Sequence, residues 1–192
     1  MRKLTVDDIT DLRAYERERA DFRASVIDLK RDRRIPLGDL MTVVFENLTT
    51  MRFQIQEMAR AERMLTDEQI AHEVAVYNGL LPDDGQLSAT LFLELTSDAL
   101  LREWLPKLVG LQRHVAFEVA GVVSPAVEID EDRLTREDDV TSAVHYLRFA
   151  FTPEQIAGFA AGPVVLRIDH PEYRAETVLS EASRRSLLAD FG

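Results

Sequence analysis

The chain has 192 residues, 46% apolar and 30% charged, with no cysteine and a net charge of −11. That balance belongs to a globular protein rather than a disordered one, and the missing cysteine excludes disulfides, thiolate nucleophiles and iron–sulfur ligation. The acidity argues against nucleic-acid binding, which needs clustered Lys and Arg, and no apolar run approaches the roughly 20 residues that span a bilayer.

The N-terminus turns acidic at Asp7-Asp8 before an apolar run can form a signal peptide, so a soluble, cytoplasmic protein is expected. Charge is uneven along the chain. Residues 1–80 carry 13 basic and 15 acidic side chains, whereas residues 81–192 carry 10 and 19. The first part holds one basic knot, Lys30-Arg31-Asp32-Arg33-Arg34.

A first helix is expected from Thr10 or Asp11. Its stripe is Leu12, Tyr15, Arg19, Phe22, Val26 and Leu29, spaced three and four apart. It should stop before Pro36, with the basic knot in its last turn facing the negative end of the helix dipole.

From Asp39, a plausible N-cap, to about Arg63 there is no proline or glycine. Leu40, Val44, Leu48, Met51, Ile55 and Met58 again alternate spacings of three and four, which predicts one long helix over 39–63. A second line runs beside that seam: Val43, Asn47, Thr50, Gln54, Glu57, Ala61. Asn, Thr and Gln suit fixed hydrogen bonds in a half-buried place. The line reads either as the wall of a ligand cleft or as a polar network that sets helix register. Four of the five methionines, Met41, Met51, Met58 and Met64, lie on or beside this segment and suit core filling or an adaptable contact surface.

Thr66 and Gln69 form a capping box for a third helix ending at Asn78-Gly79, and Pro82-Asp83-Asp84-Gly85 is a strong turn. The period then changes. Strands are expected at 90–95, 115–123, 126–129, 143–151, 164–169 and 174–179. Short helices should follow Ser97, Thr152-Pro153 and Ser180. The predicted fold is α+β: an N-terminal long-helix hairpin or bundle packed with a C-terminal, mainly antiparallel sheet carrying short helices. Residues 1–80 form the helical segment and 81–192 the mainly antiparallel one, in a single globular unit.

Nucleophile-elbow, Walker A and dinucleotide glycine patterns are missing, and the acidic run 130–139 lacks the order of a calcium loop. No residue three before His72, His114, His145 or His170 is acidic, so the Glu-x-x-His pairs of a di-iron bundle are absent. His145 and His170 lie on expected strands, where a structural role is the simpler reading.

Arg33-Arg34-Ile35-Pro36-Leu37-Gly38-Asp39, Phe45-Glu46-Asn47 and the run Gln54 to Arg63 resemble an uncharacterised bacterial family, the domain of unknown function 3501 family. Tyr77-Asn78, Leu80-Leu81-Pro82 and Leu87 to Leu91 resemble it further on. The resemblance implies no activity, cofactor or catalytic residue. It does imply a setting near rubrerythrin-like and iron–sulfur oxidoreductase genes.

The residues point first to a non-catalytic binding or accessory protein without a cofactor. Its partner protein, second copy or small anionic ligand would be met through the long helix, with Arg33, Arg34, Asn47, Thr50, Gln54 and Glu57 as the contact residues. The rival reading is a metal-binding protein or metal-dependent enzyme with a redox-related role, using Glu46, Glu57, Glu62 and His72. Metal analysis of untagged protein separates the two.

Overall fold

The structure, a computed structural model, describes residues 2–129 and 140–191. The acidic connection 130–139 lies outside them.

Helix α1 (Leu12–Arg31) begins at Asp11, whose carboxylate accepts from the backbone N–H groups of Arg13 and Ala14. The expected long helix over 39–63 does not form. Residues 34–46 make a hairpin instead, β1 (Arg34–Leu37) and β2 (Met41–Glu46), and only then does α2 (Leu48–Glu62) start. Strand β2 is buried on both faces, so its apolar residues do not simply alternate and can imitate helical spacing. Gly38 turns the hairpin with φ +70°, a left-handed conformation open to glycine, and a Cβ there would overlap the Tyr173 hydroxyl. The N-terminal part is therefore not a long-helix hairpin; α1 is a single helix separated from α2 by two strands.

Helix α3 (Asp67–Asn78) has the expected Thr66–Gln69 capping box. Then come β3 (Gln86–Leu93), α4 (Asp98–Lys107), β4 (Val115–Val119), β5 (Val122–Glu128), β6 (Val144–Ala150), α5 (Pro153–Ala161), β7 (Val164–His170), β8 (Tyr173–Val178) and α6 (Glu181–Leu188). The strand expected over 115–123 is bent at Ala120 and Gly121, both at positive φ, into a tight β4–β5 hairpin.

The strands join in the order β1-β2-β3-β6-β5-β4-β7-β8, each pair antiparallel, so the sheet runs through both halves of the sequence. It curls until its end strands meet. Pro36 has no N–H to offer across the seam. Side-chain hydroxyls close it: Thr177 Oγ1 donates to Pro36 O at 2.5 Å, and Tyr173 OH donates to Leu37 O at 3.2 Å. Inside the near-barrel lie Phe45, Leu91, Phe117, Leu147, Phe149 and Leu166, all fully buried. Trp104 of α4 and Leu108 just after it pack against one part of this core, and Phe159, Leu187 and Phe191 against another. Helices α2 and α3 enclose a smaller core of Met51, Ile55 and Val74 with Leu4 and Leu81, and α1 packs along α2.

Candidate functional site

The basic knot divides by strand alternation. Period two places Arg33 inward and Arg34 outward. Arg33 is fully buried, and its donors all meet protein acceptors. Nε donates to Phe45 O at 2.9 Å, Nη1 to Ser186 O at 3.1 Å and Ser186 Oγ at 3.5 Å, and Nη2 to Glu46 O at 3.4 Å and to Asp190 Oδ2. With five N–H groups on a guanidinium, none remains for an outside anion. Arg33 fastens the C-terminus to the β2–α2 corner.

Asn47, Thr50 and Glu57 of the polar line are also engaged within the protein. Asn47 is the N-cap of α2, accepting from the N–H groups of Thr49 and Thr50, and its Nδ2 donates to Asp190 Oδ1 at 3.3 Å. Thr50, fully buried, completes the capping box through Asn47 N–H. Glu57 accepts from Tyr15 OH at 2.7 Å and from Arg19 Nε and Nη2 at 2.8 and 2.7 Å. The Arg19 guanidinium, helped by the Tyr15 hydroxyl, holds the Glu57 carboxyl down at about 2. Gln54 is exposed and lies beside the Tyr77 hydroxyl. These contacts join α2 to α1, α3 and the C-terminus.

Glu46, Glu57, Glu62 and His72 sit on β2, the middle of α2, the end of α2 and α3 respectively. Among the described residues no three His, Asp or Glu side chains gather closely enough to hold a metal ion. His170 packs edge-on against His114, ring centroids 4.9 Å apart. His145 is buried inside the barrel with Nδ1 2.7 Å from Glu128 Oε1, and Nε2 3.0 Å from both Thr141 Oγ1 and Ser142 O.

Arg34 stands apart from these closed networks. It lies on a groove of about 500 Å³ with Arg23, Val26, Ile27, Lys30, Arg31 and Phe53. The five α1 residues follow i, i+3, i+4, i+7, i+8, one face of the helix. Phe53 comes from α2, held edge-on against Phe22 with centroids 5.6 Å apart. The cations are lightly engaged: Arg34 meets Glu94 at 3.3 Å and Arg31 meets Asp28 at 2.6 Å, both at exposed sites. Lys30 Nζ faces Glu46 Oε2 at 3.7 Å, and Arg23 has no acidic partner among the described residues. The exposed Arg34 and Arg31 pairs contribute at most about 1 kcal/mol each, so a ligand can displace them. The sequence reading named Arg34 and the knot but missed Arg23, Ile27 and Phe53. The missed signal was the second face of α1, where Arg–x–x–Val–Ile–x–x–Lys–Arg alternates charge and hydrocarbon.

Residues 3–191 match the family described as Protein of unknown function (DUF3501). The chain belongs to this family. The fold is similar to a crystal structure of a novel protein of unknown function from Burkholderia pseudomallei K96243, with 32% identity, a TM-score of 0.91 and full coverage of both chains. No curated protein matches this DUF3501 member at a significant level. Among the described residues no helix is long and apolar enough to cross a membrane.

Proposed function

We propose that the protein is a non-catalytic binding protein whose α1 groove takes a small anionic ligand with an apolar body. One observation carries the reading. In a chain of net charge −11, Arg23, Lys30, Arg31 and Arg34 surround a floor of Val26, Ile27 and Phe53. Ile27 is 49% exposed, an apolar surface that a hydrocarbon or aromatic body would cover. Arg23 and Arg31 are eight positions apart, about 12 Å along the helix. An anionic head at Lys30, Arg31 and Arg34 therefore leaves room for a body running toward Arg23. The guanidinium forks of Arg31 and Arg34 suit carboxylate or phosphate.

The anion-binding role expected of Arg33 and Arg34 together thus rests on Arg34 alone, with new neighbours. The test is an NMR titration with octanoate. Amide and side-chain shifts at Val26, Ile27 and Phe53 are expected, whereas shifts confined to other surfaces would reject the site.

A further inference from the structure

The corner between α2 and α3 carries an unusual pairing of a protruding side chain with a hollow. Arg63 adopts a left-handed conformation at the end of α2, and Met64 N–H then donates back to Ala59 O at 2.9 Å. Met64 is tucked in at 8% exposure, and the next residue, Leu65, is thrown outward at 81%. Leu65 is not loose. Its N–H donates to Gln69 Oε1 at 3.0 Å, the same side chain that caps α3 with Thr66. A large apolar side chain is therefore held in water by a fixed backbone, at the full hydration cost of its surface.

Beside it opens a hollow of about 320 Å³ lined by Ile9, Leu12, Ala59, Met64 and Ile70, with Leu65 itself on the rim. Three charged residues line this hollow: the Asp11 carboxylate is engaged by the backbone N–H groups of Arg13 and Ala14, whereas the Arg13 and Asp67 side chains form no ion pair with each other or with another acid or base among the described residues. A patch holding a knob, a hole, and a cation and an anion left over once Asp11 has capped its helix is complementary to itself. A two-fold axis through such a patch makes every contact twice.

We propose that this corner docks a second copy of the chain, Leu65 of each copy entering the hollow of the other while Arg13 of each faces Asp67 of the other. The charges set the orientation, since exposed pairs contribute register more than affinity. The surface involves the α2–α3 corner and the start of α1, so it leaves the α1 groove of the proposed ligand site free, and the two readings can fail separately.

Sedimentation velocity between about 5 and 200 µM, a range suited to modest interfaces, tests it on the full chain. The wild type is expected to pass from monomer toward dimer. Leu65→Asp should shift that transition at least tenfold higher in concentration with an unchanged melting temperature, because the position is exposed. Arg13→Asp should weaken the dimer, and adding Asp67→Arg should restore it, the signature of a direct charge contact. A wild type that stays monomeric throughout overturns the proposal, as does a dimer indifferent to Leu65→Asp or one that the double charge swap fails to rescue.

Discussion

The Arg33 guanidinium meets the Asp190 carboxylate across 157 residues of sequence, both side chains almost wholly out of water. Breaking one partner of a buried pair leaves the other uncompensated, which typically costs about 3–5 kcal/mol. Arg33→Lys keeps the charge but loses the planar fork and two of five donors. It is expected to lower stability by about 3 kcal/mol, or roughly 6–12 °C in melting temperature for a chain of this size. Thermal unfolding followed by circular dichroism checks this; a shift within about 1 °C, below what any buried charge contact would give, would mean that the C-terminus is not fastened there.

The Glu57 clamp has a pH signature. Its carboxyl is held at about 2, below the ordinary value of 4.5, chiefly by the Arg19 hydrogen bonds. A depressed carboxylate stabilises the fold above its unfolded pKa, and that contribution fades as pH falls from about 4.5 to about 2. Glu57→Gln should therefore cost about 2 kcal/mol at pH 7, and the gap from wild type should close on acidification through that window. Denaturant melts at pH 7, 4 and 3 measure it. A gap independent of pH would place the cause in packing instead.

Gly38 and Gly110 separate two costs that a glycine substitution can combine. Both have positive φ, +70° and +83°. Only Gly38 has a neighbour in the way, Tyr173 across the β1–β8 seam, whereas nothing lies within 4 Å of a Cβ at Gly110. Gly110→Ala should cost about 1 kcal/mol for the backbone alone, and Gly38→Ala on the order of 3 kcal/mol because the seam must also shift. Equal effects in equilibrium unfolding would show that the seam yields without strain.

The sequence carried the later elements well, since each has a local sign. Thr152-Pro153, Ser97 and Ser180 start helices where their hydroxyls cap them, and His145, Leu147 and Phe149 alternate into the core. The segment 39–63 misled for a physical reason. In Met41-Thr42-Val43-Val44-Phe45-Glu46 every residue is buried, so period two vanishes and a spacing of three or four can be drawn through it. The true helix start was legible at Asn47 and Thr50, a capping box inside the supposed helix. Arg33 was misplaced because a run of charge reads as one solvated turn until the following strand assigns alternate residues to opposite faces. The groove itself combines α1, α2 and β1, and only packing brings Phe53 beside Arg23 and Arg34.

The most direct test of the binding role is calorimetric titration of octanoate into the wild type and into Arg23→Ala/Arg34→Ala, with octanol and acetate as controls for charge and for hydrocarbon. Octanoate is expected to bind and neither control to do so, affinity is expected to fall with added salt, and the double variant should lose at least about tenfold, the worth of one charged hydrogen bond, at near-wild-type stability. Octanol binding as tightly as octanoate, or the double variant binding octanoate undiminished, would contradict it.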